Sequence, residues 1–145
     1  RMFDLATYWQ DNIYVHGRTD DVINIRGHRI GSAEIESVIL KNSFIVEVCS
    51  IAVSDYLEGN CLYLFVVSHK KNDEKIKSDL IENFGLYAIP KKIIYCENLP
   101  KTRSGKILRR LLRDLSNNPD SKSFGDLSTL IDKKIIRQIQ NEIRK

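Results

Sequence analysis

Two β-rich runs, residues 45–53 and 61–68, stand on either side of a polar turn containing Glu58-Gly59-Asn60. A connection that short joins antiparallel neighbours in one sheet. A strand pair around Cys49 and Leu64 is therefore the centre about which the rest of the chain must be placed. Upstream, residues 8–15 with Gln10-Asp11-Asn12 as the turn read as a β-hairpin. Val22-Ile23-Asn24-Ile25 reads as a short strand, and Arg26-Gly27-His28 as a turn leading to Ile30. Downstream, residues 92–96 make one more strand.

Helical patterns fill the intervals. Ser32 is placed to cap a helix. Glu34 and Glu36 then fall in its first turn, where the dipole favours acids, and Ile35, Val38 and Ile39 form one apolar face. Residues 72–84 read as an amphipathic helix through Ile76, Leu80, Ile81 and Phe84, stopped at Gly85. Residues 104–115 put Ile107, Leu108, Leu111, Leu112 and Leu115 on one side of a third helix. Residues 117–124, rich in Asn, Ser, Asp and Pro, read as a loop, and residues 131–143 as a last, basic helix. Helices interleaved with short strands imply an α+β fold: a small mixed or antiparallel sheet flanked by helices and preceded by a β-hairpin.

At 145 residues the chain is long enough to bury a core. No apolar run approaches the roughly 18 residues that cross a bilayer, so no membrane partner is expected. Arg1-Met2-Phe3-Asp4 lacks the basic-then-apolar form of a signal peptide and reads as a chain already in mid-pattern. Cys49, Cys61 and Cys96 are odd in number and far apart, each within an apolar run. They read as core thiols of a reducing compartment, hence cytoplasmic. His16, His28 and His69 show no ligand spacing with them, so no metal site is expected.

The net charge of +4, from 23 basic and 19 acidic residues, is mild but local. Lys101, Arg103, Lys106, Arg109, Arg110 and Arg113 follow one another with no acid between them. Such a cluster attracts a polyanion, and nucleotide phosphates qualify as readily as DNA. A nucleic-acid module would interleave aromatics with the basic residues, and this run has none, so no nucleic-acid partner is expected.

Two constellations carry chemistry. In Pro100-Lys101-Thr102-Arg103-Ser104-Gly105-Lys106-Ile107-Leu108-Arg109-Arg110, a Pro-flanked loop delivers Lys106 into the first turn of the third helix. The dipole disfavours a cation there by a few tenths to about 1 kcal/mol. The glycine meanwhile lets the backbone approach a ligand, and free helix N–H groups would join the ammonium in gripping an anion. A P-loop needs Gly where Pro100 stands and Ser or Thr where Ile107 stands, and is rejected. The second constellation, Gly17-Arg18-Thr19-Asp20-Asp21 through Gly27-His28-Arg29-Ile30-Gly31, sets two arginines and two acids about a short strand. Read alone, it is equally a hairpin with solvated charges.

Taken together, residues 17–36 and 100–110 resemble the signature of the C-terminal domain of the adenylate-forming superfamily, which includes acyl-CoA synthetases, peptide-synthetase adenylation domains and luciferases. Gly27-His28-Arg29-Ile30-Gly31, and the tail Gly125-Asp126-Leu127-Ser128-Thr129-Leu130-Ile131-Asp132, are similar to the AMP-forming acetyl- and propionyl-CoA synthetases. The resemblance implies that residues 1–19 are the trailing end of a large N-terminal domain, 20–116 a mobile C-terminal domain, and 117–145 an extension. It implies a two-step ligase reaction. A short carboxylate and ATP, with Mg2+ held mainly by the large domain, give acyl-adenylate and pyrophosphate. CoA then displaces AMP. The small domain rotates between the steps against its large-domain partner, and by itself is expected to be inactive.

By the same resemblance Lys106 is the catalytic lysine of adenylation, Asp20 the hinge, Arg18 a ribose contact and Arg29 an AMP-phosphate contact. Gly27 lines the pantetheine channel of CoA. Arg26 stands where those enzymes often have a small residue, and is placed to reach CoA phosphates or crowd them. No arginine occurs near Ile81-Glu82-Asn83, where many relatives contact CoA. An adenylation domain loading a carrier protein is the alternative, against which His28 and the tail at 125–132 stand. Acylation of an exposed Lys106 would stop adenylation, implying a lysine acyltransferase and a deacylase as further partners.

Overall fold

The structure, a computed structural model, describes residues 4–9, 12–18, 22–57, 59–120 and 134–145, the first two segments as backbone. β1 (Asp4–Trp9) and β2 (Asn12–Arg18) pair antiparallel with Trp9 opposite Asn12. The expected hairpin is present and longer than its sequence signal. β3 (Val22–Ile25) and β4 (His28–Gly31) form a second hairpin, closed by Arg26-Gly27. Both turn residues have positive φ, 49° and 84°, as a two-residue turn matching the strand twist requires.

Gly31 still pairs with Val22, and α1 (Ser32–Ile39) begins at the next residue. The chain stays extended through Gly31, so Gly31 holds the N-cap position without a side-chain bond. The expectation of Ser32 as the cap is corrected. Ser32 is itself helical and buried.

β5 (Ile45–Asp55) and β6 (Gly59–Ser68) are the predicted antiparallel pair, with Cys49 opposite Phe65 and Ser50 opposite Leu64. β7 (Lys92–Tyr95) joins β6 in parallel, giving the order β5-β6-β7. The sheet is mixed because the chain leaves β6 through α2 (Asp73–Phe84) and a 3-10 turn at Leu86–Ala88, long enough to return it to the starting end. The Asn72 side chain caps α2 by accepting from the Lys75 N–H at 3.1 Å. Gly85, at φ 113°, ends it.

Alternate strand residues face opposite sides of this sheet, and each side has its own core. On one side Val48, Leu62, Leu64 and Val66 meet Ile35 and Ile39 of α1, Ile76 and Leu80 of α2, and the inward residues of the β3–β4 hairpin, Ile23, Ile25 and Ile30. On the other, Cys49, Ile51, Val53 and Phe65 meet Leu111, Leu112 and Leu115 of α3 (Arg109–Asn117) and Ile136, Ile139 and Ile143 of α4 (Lys134–Arg144). All three cysteines are buried free thiols. Burial, together with nearby Glu142 and Cys49, pushes the Cys96 thiol up to about 12. No described helix is long and apolar enough to cross a membrane.

The third helix starts at Arg109, five residues later than its periodicity predicts. Ile107 and Leu108 do pack against the second core, so their spacing looked helical. They do so from an extended segment, because Gly105 adopts φ 89° and residue 107 bridges back to Lys101. Of the last predicted helix, residues 131–133 lie outside the described residues, as do 121–124 of the predicted loop.

Candidate functional site

Lys106 sits in a loop whose backbone closes on itself. The Leu108 N–H donates to the Pro100 carbonyl and the Thr102 N–H to the Lys106 carbonyl, each at 2.9 Å. The Gly105 N–H donates to the Thr102 carbonyl at 2.9 Å. Thr102 Oγ1 accepts the Lys106 N–H at 3.3 Å and lies 2.8 Å from Ser104 Oγ. Both backbone polar groups of Lys106 are thus held by Thr102 while its side chain is exposed. A Cβ at Gly105 would meet nothing within 4 Å, so the glycine answers a backbone demand for positive φ, with no steric one behind it. Lys101 Nζ, 2.5 Å from Glu47, pins the base of the loop to β5.

This corrects the sequence expectation for Lys106. With α3 starting at Arg109, Lys106 is outside the helix and its ammonium is not lined by first-turn N–H groups. What remains is an exposed cation at a fixed place on a hydrogen-bonded loop.

Arg26, Gly27, His28 and Arg29 come together at the β3–β4 turn, all exposed, above the buried Ile23, Ile25 and Ile30. A Cβ at Gly27 would also meet nothing within 4 Å. The Arg26 N–H donates to the Asn60 carbonyl at 3.4 Å, tying the turn to the start of β6. The His28 ring stacks on Tyr87 with centroids 3.8 Å apart and planes 11° from parallel. That contact ties the turn to the 3-10 segment after α2. Arg18 closes β2 opposite Asp4 in the backbone register, and Asp20 lies outside the described residues.

The two segments belong to opposite faces of the central sheet. Ile107 and Leu108 pack with α3 and α4, and the β3–β4 hairpin packs with α1 and α2. The link the structure provides between them is indirect. Arg109, the first residue of α3, makes a bidentate pair with Glu36 of α1, at 2.6 and 2.8 Å. Both close on Ser50 of the edge strand β5. Glu36 Oε2 accepts from the Ser50 N–H at 3.0 Å and from Ser50 Oγ at 2.9 Å, and Arg109 donates to the Ser50 carbonyl at 3.1 Å.

Sequence reasoning missed this cluster, assigning Glu36 to the helix dipole and Arg109 to a basic run that attracts a polyanion. A signal was available. At about 100° per residue, Glu36 borders the apolar arc of α1 on the Ser32 side, and Arg109 borders the arc of α3 beside Ser116. With Arg109 and Lys101 both paired internally, the segment offers less cationic surface than its composition suggests. A surface cleft of about 530 Å³, lined by Lys71, Asp73, Lys92, Tyr95, Glu142 and Lys145 among others, includes none of the predicted site residues. Lys106, Arg26, Gly27, His28 and Arg29 are exposed.

A family model described as the AMP-binding enzyme C-terminal domain matches residues 34–106. The acetyl-coenzyme A synthetase of Emericella nidulans is 36% identical over 138 residues, covering 91% of this chain and 20% of that enzyme. That of Campylobacter jejuni subsp. jejuni is 41% identical over 137 residues, covering 88% and 20%. The solved Mycobacterium tuberculosis fatty acyl CoA synthetase matches with a TM-score of 0.65 at 30% identity, over 77% of this chain and 23% of that one. The chain spans about a fifth of the length of the curated relatives it matches.

Proposed function

Because the chain belongs to the family of AMP-binding enzyme C-terminal domains, we propose that it is the mobile domain of an AMP-forming acyl-CoA synthetase acting on acetate or propionate. In this reading residues 1–19 are the approach from the large domain, 20–116 the moving body and 117–145 an extension. The large domain holds ATP, Mg2+ and the carboxylate, and this domain supplies a different face to each half-reaction. The observation that carries the reading is the placement of the Lys106 loop and the Gly27–Arg29 turn on opposite faces of one sheet. A rotation about the Asp20 hinge could then exchange them at a single pocket.

In the first half-reaction the Lys106 ammonium meets the carboxylate and α-phosphate oxygens as they are forced together. At 4 Å and an effective dielectric near 20, one such pair is worth on the order of 4 kcal/mol, several hundredfold in rate. Arg18 contacts the ribose. In the second half-reaction Arg29 faces the AMP phosphate, CoA pantetheine passes Gly27, and the exposed Arg26 reaches toward CoA phosphates. The exposure of Lys106 also leaves its amine open to a lysine acyltransferase and deacylase. Lys106 found unmodified on every carbon source by mass spectrometry would count against that regulation.

The test is Lys106→Ala in the protein joined to its large domain, with the two half-reactions assayed separately. Carboxylate-dependent ATP–pyrophosphate exchange is expected to fall by a hundredfold or more, while thioester formation from supplied acyl-adenylate is largely kept. If both rates survive, Lys106 is an ordinary surface lysine.

A further inference from the structure

We propose that Arg109 and Glu36 form a positioning clasp for the Lys106 loop, closed around the edge of β5 at Ser50. The inference rests on the reading of Lys106 as the adenylation lysine and adds a residue pair that touches neither nucleotide nor carboxylate. β5 is the edge strand of the β5-β6-β7 sheet, and its Ser50 N–H and carbonyl are engaged by Glu36 and Arg109. An edge peptide without β-partners needs such bonds. The pair that supplies them comes from both layers, Glu36 from the α1 face and Arg109 from the α3 face. Ser50 Oγ, whose one proton goes to the nearer Glu36 carboxylate, also lies 3.2 Å from the Ser32 carbonyl, where α1 follows β4.

Arg109 is three residues beyond Lys106 and directly follows Leu108, whose N–H closes the loop on Pro100. Its side chain is 21% exposed and that of Glu36 12%. Solvent therefore screens the pair little, and the planar fork fixes direction as well as distance. The rest of the loop rests on its own short hydrogen bonds and on the Lys101–Glu47 pair, itself more exposed at 30% and 26%. Without the clasp, the start of α3 keeps its apolar packing but loses its rotational register about β5. Lys106 then samples positions away from the one geometry that neutralises the reacting oxygens.

Two measurements test this. Hydrogen exchange on the 145-residue chain does not depend on the catalytic reading. Arg109→Met, and more mildly Glu36→Gln, are expected to speed exchange of the Thr102, Gly105 and Leu108 amides tenfold or more. Amides of central strand β6 should be unchanged.

In the protein joined to its large domain, Arg109→Met is expected to lower kcat for ATP–pyrophosphate exchange at least tenfold. The KM values and the thioester half-reaction should stay within threefold. Arg109→Lys, which keeps the charge but not the fork, should fall between wild type and Arg109→Met. In a Lys106→Ala background Arg109→Met should add nothing, since a positioning residue acts only through the group it positions. A further, multiplicative loss there, an equal fall in both half-reactions, or unchanged loop exchange would overturn the clasp. Lys106→Ala leaving exchange activity intact would instead sink the reading of Lys106, with the amide result still deciding whether the clasp holds the loop.

Discussion

A methyl group added at Gly27 separates two reasons for a glycine at the β3–β4 turn. Gly27 has φ 84°, and an L-residue in that region costs roughly 1–2 kcal/mol. The added Cβ would meet nothing within 4 Å, so inside this domain Gly27→Ala carries the backbone cost alone. Carried fully into a transition state that needs the turn intact, that cost is about five- to thirty-fold in rate. Asn tolerates positive φ better than Ala and is common in such turns, but its side chain is larger. Backbone strain alone therefore ranks thioester formation as Gly fastest, then Asn, then Ala. A pantetheine chain passing over residue 27 reverses the last two, and we expect that order, with Gly27→Asn slowed a hundredfold or more. The assay is single-turnover thioester formation from purified acyl-adenylate and CoA, run beside ATP–pyrophosphate exchange. Exchange should stay within about twofold because the Lys106 loop lies on the other face. A Gly27→Asn variant that outpaces Gly27→Ala in the thioester step would refute the channel assignment.

Phe65 is fully buried in β6 and anchors the core beneath α3 and α4, so Phe65→Ala should cost about 3–5 kcal/mol in urea unfolding. A loss below about 1 kcal/mol would mean that this face collapses freely around the cavity. Arg26 is a non-glycine at φ 49°, where Asn is tolerated better, so its replacement weighs backbone relief against the interactions of the arginine side chain. Arg26→Asn is expected to raise unfolding free energy by about 0.5–1 kcal/mol, and a lowered denaturation midpoint would show that the arginine side chain holds the turn. The Cys96 thiol is raised from its ordinary 9.0 to about 12 by burial. Below pH 9 both folded and unfolded chains keep it neutral and its full contribution is present. Between 9 and 12 only the unfolded chain ionises, so stability should fall by up to about 1.4 kcal/mol per pH unit. Tyr95, raised in the same direction by burial and its bond to Asp73, adds to the fall. A urea midpoint flat from pH 8 to 10.5 would contradict both.

Much of the molecule was legible because its signals are local. The β-rich runs at residues 45–53 and 61–68 and the polar turn between them specified β5 and β6. The spacing of Ile76, Leu80, Ile81 and Phe84, with Gly85 as the stop, specified α2. The three apolar-flanked cysteines were readable as core thiols for the same reason. The two signature segments were readable as motifs, and the matched family, over residues 34–106, takes in the second as far as Lys106. The start of α3 was misread because Leu108 and Leu111 keep helical spacing across a boundary set by Gly105 and by the pairing of Lys101 with Ile107.

By itself, the sequence determined which residues turn, which strands pair across a short loop, and which side chains must leave water, since each depends on neighbours a few positions away. Only the tertiary structure decided that β7 lies parallel to β6, that the Lys106 loop and the Gly27 turn occupy opposite faces, and that Glu36 and Arg109 close on Ser50. Glu36 and Arg109 are 73 positions apart. Two charges so far apart in the chain have no reason to pair until the sheet edge brings their helices together, and the burial that makes the pair firm exists only once both faces are covered.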